Sequence, residues 1–87
     1  MSTQSDIKTM RQALGRRINE LRNEKGMTQE GLCVLIGMDR TYLATVETGE
    51  RNISIDNLLR IAEGLDTTPA LLCRNVDNHV VGRMYHA

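Results

Sequence analysis

The stretch Gly26–Gly49, GMTQEGLCVLIGMDRTYLATVETG, decides how this chain folds. Thr28 offers a side-chain oxygen to the free amides at the start of a helix. Glu30 adds negative charge in the first turn, where the positive helix end favours it. Leu32, Cys33, Leu35 and Ile36 follow at helical spacing as an apolar stripe. Gly37 stands where a left-handed residue ends a helix. Asp39 opens the next helix in the same way as Thr28. Its inward positions are Leu43, Val46 and Ala44, and Gly49 closes it. The pattern predicts two short helices joined by a tight turn.

That arrangement matches a helix-turn-helix, which places its second helix in the major groove of DNA. A plain helical hairpin within a bundle is the alternative. The first exposed positions of a recognition helix must be polar, because they face base edges. Arg40, Thr41 and Thr45 occupy them here. Arg40 can donate two hydrogen bonds to guanine, and a threonine can bond a base edge or pack against a thymine methyl. Ala44, on a neighbouring face, is a fourth base-contact candidate. The alternative for Arg40 is an exposed arginine paired with Asp39.

The segment resembles the phage-repressor and Cro type of helix-turn-helix, the XRE family. The resemblance rests on Leu21 to Glu30, then Leu32, Gly37, Tyr42, Val46 to Gly49, Arg51 to Ser54 and Leu58 to Ala62, and it spans Leu14 to Leu72. Within the family, Arg40-Thr41-Tyr42 followed by Glu50 to Ser54 is most similar to the controller proteins of restriction-modification systems. The resemblance implies an all-α, lambda repressor-like bundle of about five helices that contains the DNA-binding motif. It also implies that Gln29 clamps a phosphate, which the free amides at a helix start favour as well. Glu47 would pair with Arg22 to fix the recognition helix, and so stays out of the DNA contacts. Tyr42, Arg51, Asn52 and Arg17 complete the expected phosphate contacts. Partial burial of Tyr42 and solvation of Arg51 are the competing readings.

With 87 residues the chain has room for one core. Phe and Trp are absent, so that core is aliphatic, as suits helices packed on helices. The formal charge is zero, with 11 basic and 11 acidic residues. Nucleic-acid binding therefore needs a dipolar surface, with Arg16, Arg17, Arg40 and Arg51 gathered on one face. Cys33 reads as a small buried hydrophobe, and neither it nor Cys73 has partners spaced for a disulfide or a metal. His79 and His86 sit without a catalytic arrangement, and no glycine-rich phosphate loop occurs. The expectation is a non-enzyme without cofactor, membrane contact or small-molecule ligand. It is cytoplasmic, bacterial or phage-encoded, and nucleoid-associated when bound.

Outside the motif, Ile7, Met10, Leu14, Ile18 and Leu21 predict a first helix from Asp6 to Lys25. Ser54 caps a fourth helix with Leu58, Leu59, Ile61, Ala62 and Leu65 inward, and Gly64 weakens it. Asp66 takes the left-handed position after it. Thr68-Pro69 opens a fifth. The domain reading is a frayed start over 1–5, the DNA-binding domain over 6–73 and a tail over 74–87 with a role in dimerisation. The tail reads equally as strand, helix extension or disordered segment.

The leading function is a sequence-specific transcriptional regulator, a homodimer on a pseudo-palindromic double-stranded DNA operator, with RNA polymerase a further candidate partner. Controller of restriction-modification genes is the preferred subtype; a phage-type repressor or an antitoxin comes next. A protein-interaction module that reuses the fold is the rival from another class, and it predicts an apolar patch on the third helix. Leu71, Leu72 and Val76 are the dimer-interface candidates, followed by Val80 and Met84, with burial of Leu71 against the first helix as the alternative.

Overall fold

The computed structural model describes residues 3–77. Its five helices are α1 (Gln4–Glu24), α2 (Gln29–Ile36), α3 (Arg40–Glu47), α4 (Ile55–Gly64) and α5 (Pro69–Leu72). No strand occurs among the described residues. Helix α1 packs on α3 and α5, α2 on α3 and α4, and α4 on α5. The expectations for Val80 and Met84 lie outside the described residues.

Each helix starts on the side-chain cap that its first residues provide. Thr28, Asp39, Ser54 and Thr68 accept from the amides of Gly31, Tyr42, Asn57 and Leu71. Helix α1 begins two residues before the expected Asp6 because Thr3 is the cap. The Thr3 hydroxyl accepts from the Asp6 amide at 3.1 Å, and the Asp6 carboxylate accepts from the Thr3 amide at 3.3 Å. This reciprocal pair satisfies two amides that the helix itself leaves free. The α2–α3 turn follows from Gly37, which is left-handed at φ 67°. Asp66 takes its expected left-handed conformation at φ 54°.

The core is aliphatic. Ile18, Leu32, Leu43, Ile61, Leu65 and Leu72 are fully buried, with Cys33, Val46, Leu58 and Ala62 around them. Burial of each large side chain contributes roughly 1.5–3 kcal/mol. Three expected inward residues are exposed instead: Ile7 near the start of α1, Leu35 on α2 and Leu59 on α4. Leu35 and Leu59 each lie about a third of a turn from the centre of the buried arc of their helices, at the edge of what a 3.6-residue period can bring inside. The balance on α5 is the reverse of the expected one. Leu72 is wholly enclosed, whereas Leu71 is 49% exposed. Pro69 starts this single turn with Leu72 directed onto the α1–α4 layer.

Gly64 does more than weaken α4. A Cβ there would stand 2.5 Å from Ile36 Cγ2 and 2.8 Å from Leu32 Cδ1, so the bare backbone lets α4 close on α2.

Candidate nucleic-acid interface

Helix α3 buries Leu43, Val46 and Glu47 and turns Arg40 and Thr41 to solvent, as does Thr48 at its C-cap, with Ala44 and Thr45 half-buried at the margins. The exposed arc is polar apart from Ala44. An interaction surface built on this helix would need an apolar patch here, and none exists.

Its orientation is set by one carboxylate. Glu47 Oε2 accepts from Arg22 Nε at 2.8 Å, and Oε1 accepts from Arg22 Nη2 at 3.0 Å. Oε1 also accepts from Asn19 Nδ2 at 2.8 Å and Gln29 Nε2 at 3.1 Å. Arg22 Nη1 donates to the Met27 carbonyl at 2.8 Å, which ties the network to the segment before α2. The Arg22 and Glu47 side chains are only 9% and 4% exposed. Burial pushes the Glu47 carboxyl up, but the bonds from Arg22, Asn19 and Gln29, with the Arg22 charge, together hold it below the usual carboxylate range. Bonding to Glu47 raises Arg22 despite the opposing effect of burial. The ion pair expected from the family resemblance is therefore present, and it carries Asn19, which the sequence reading missed. The signal was available: Asn19 lies three residues before Arg22, on the same helical face.

A close backbone approach completes the α1–α3 contact. A Cβ on Gly15 would collide with the Val46 and Glu47 carbonyl oxygens. Only glycine lets α1 pass so near the end of α3.

Two clusters of candidate contacts emerge. Arg40 and Gln29 line one cleft with Thr28 and Glu30, at the start of α2. Among the described residues Arg40 has no ion pair, because the Asp39 carboxylate instead accepts from the Tyr42 amide at 3.0 Å. Gln29 uses one amide hydrogen on Glu47. Its second hydrogen and its carbonyl oxygen remain for a further partner.

The other cluster joins the end of α3 to the following loop. The Arg51 guanidinium lies 5.1 Å from the centre of the half-buried Tyr42 ring, and Arg51 Nε donates to Thr45 Oγ1 at 3.1 Å. The Thr45 hydroxyl is 2.8 Å from the Tyr42 carbonyl and 3.1 Å from that of Thr41. Its proton is thus engaged by the backbone, while its oxygen anchors Arg51. Asn52 is exposed beside this cluster.

Arg17 does not join either group. It lies two residues from both Gly15 and Asn19, and at about 100° per residue this puts it on the side of α1 opposite α3. There it lines a separate cleft with Arg16 and Arg74. The expectation of four arginines on one face is corrected accordingly: Arg40 and Arg51 flank α3, while Arg16 and Arg17 lie behind it.

The capped helices, the tight turn and the polar outer face of α3 define a helix-turn-helix DNA-binding domain. The helix-turn-helix family matches residues 18–72. The chain belongs to this family and shares its non-enzymatic, DNA-binding regulator character. It is 38% identical over 64 residues to the control protein C.MunI of a Mycoplasma species, covering 72% of this chain and 86% of that one. The crystal structure of the restriction-modification controller C.AhdI from Aeromonas hydrophila superposes with a TM-score of 0.70 at 45% identity. That match covers 71% of this chain and 94% of that one. The controller C.Esp1396I, crystallised as a tetramer with its natural 35 base-pair operator, gives 0.71 at 30% identity over 83% of this chain and 95% of that one. No described helix is long and apolar enough to cross a membrane.

Proposed function

We propose that this protein is a controller of restriction-modification genes, acting in the cytoplasm as a homodimer on a pseudo-palindromic operator. The observation that carries the reading is the start of α3. Arg40 is exposed and, among the described residues, free of an ion pair, and it shares a cleft with Gln29 on a helix clamped in place by Glu47. Arg40 reads a guanine edge, with Thr41, Ala44 and Thr45 beside it. Thr45 acts mainly through its hold on Arg51 and through its methyl group, since its hydroxyl proton is engaged by the backbone. Gln29, Tyr42, Arg51 and Asn52 position the duplex through its phosphates.

The controller subtype rests on the likeness to C.MunI, C.AhdI and C.Esp1396I, above the phage-repressor and antitoxin alternatives. Of the three dimer-interface candidates, Leu71 and Val76 remain, because Leu72 is enclosed in the protomer. RNA polymerase is a further partner in this reading. The test is binding of the purified chain to the DNA upstream of an adjacent restriction-modification operon, with an unrelated duplex as competitor. Retention of the upstream duplex against excess competitor supports the reading, and equal displacement counts against it.

A further inference from the structure

Behind the DNA-reading helix lies a second concentration of positive charge. Arg16 and Arg17 of α1 and Arg74 of the turn after α5 line one open cleft of about 340 Å³, together with Glu20, Asn75 and Val76. Among the described residues none of the three arginines has an ion pair, and Glu20 is not close enough to any of them to form one. The Arg17 Nε is buried yet has no hydrogen-bond partner among the described residues. A buried charged donor is ordinarily satisfied. Asn75, left-handed at φ 64°, turns the chain back beside Arg74 and brings a side-chain amide to the rim.

We infer that this cleft is a binding site for a free phosphate-class dianion. Three guanidinium groups against one carboxylate leave two uncompensated positive charges, which matches the charge of phosphate near neutral pH. Guanidinium forks bind phosphate oxygens bidentately, a planar geometry that a lysine lacks. The cleft sits on the side of α1 opposite α3, so a duplex held by α3 does not reach it. Bound phosphate would bridge α1 to the segment that follows α5. The sequence offered no reason to expect a small ligand, because Arg74 meets Arg16 and Arg17 only through the fold.

The test is calorimetric titration of the full chain with inorganic phosphate, without DNA, at an ionic strength held constant with chloride. The expected result is saturable binding at one site per chain, weakened about tenfold or more by Arg17→Gln and by the exposed Arg74→Gln. Arg17→Lys keeps the charge but loses the guanidinium fork, and should also weaken binding. Arg60→Gln removes an equal charge elsewhere on the surface and should leave the isotherm unchanged. Circular dichroism establishes that each variant is folded. A flat titration, or equal loss in Arg60→Gln and Arg74→Gln, overturns the site. Equal binding of acetate overturns the dianion assignment. If free phosphate fails to bind while Arg17→Gln lowers the salt dependence of DNA binding, the cleft serves the DNA backbone and the proposal falls.

Discussion

Glu47, the last residue of α3, receives two hydrogen bonds of 2.8 and 3.0 Å from the guanidinium of Arg22 on α1. The same carboxylate holds Gln29, the first residue of α2. One side chain therefore links three helices, and the recognition helix cannot rotate without breaking it. A buried pair of this kind contributes less to net stability than to fixing one arrangement, but removal of one member leaves the other uncompensated.

Replacing Glu47 by Ala, or Arg22 by Ala, should cost roughly 3–5 kcal/mol of unfolding free energy. The double variant should lose much less than the sum of the two. Denaturant unfolding of all four proteins measures the coupling. Additive losses would mean that the pair does not act as a unit.

The pH dependence follows from the same carboxylate. Glu47 is held below the ordinary carboxylate range in the folded chain, whereas the unfolded chain restores the ordinary value. Its contribution is complete above the unfolded pKa of about 4.3 and is lost as pH falls through the lower folded value. Stability should therefore decline on acidification more steeply in the wild type than in Glu47→Gln. Parallel curves for the two proteins would contradict this.

The two leucines of α5 should separate folding from assembly. Leu72→Ala opens a hole in a filled core and should cost about 2–5 kcal/mol. Leu71→Asp should leave the thermal midpoint nearly unchanged while weakening self-association. Sedimentation beside thermal unfolding distinguishes the two, and the opposite pattern would place the interface elsewhere.

Arg40→Ala should reduce discrimination at one guanine by ~1–3 kcal/mol, with most non-specific binding intact. Gln29→Ala should instead weaken all duplexes about equally. It should also loosen α3 slightly, because Gln29 is a Glu47 donor. Competition assays against single-base operator variants read both effects.

The helices were legible in the sequence because their starts are local chemistry. Thr28, Asp39, Ser54 and Thr68 each bond an amide three residues ahead, a relation contained within one turn. Leu35 and Leu59 were misread because an apolar stripe gives the direction of burial but not its width. Leu72 was misplaced because one turn of helix has no periodicity from which to choose between adjacent leucines. Arg17 was misplaced for another reason. Charge composition says nothing of which side of α1 meets α3, and that side is set by Gly15 and Asn19. Arg22–Glu47 came from the family resemblance, whereas the roles of Asn19 and of Thr45 beside Arg51 needed the folded geometry.

In the proposed function, α3 reads DNA sequence as one half of a symmetric pair. The decisive measurement is selection of bound duplexes from a random pool by the wild-type chain. The expected product is a pseudo-palindrome whose half-sites are centred one helical turn apart, about 34 Å, with a guanine in each that Arg40→Ala no longer selects. A pool that stays random after repeated rounds, or a bound sequence without twofold symmetry, would contradict it.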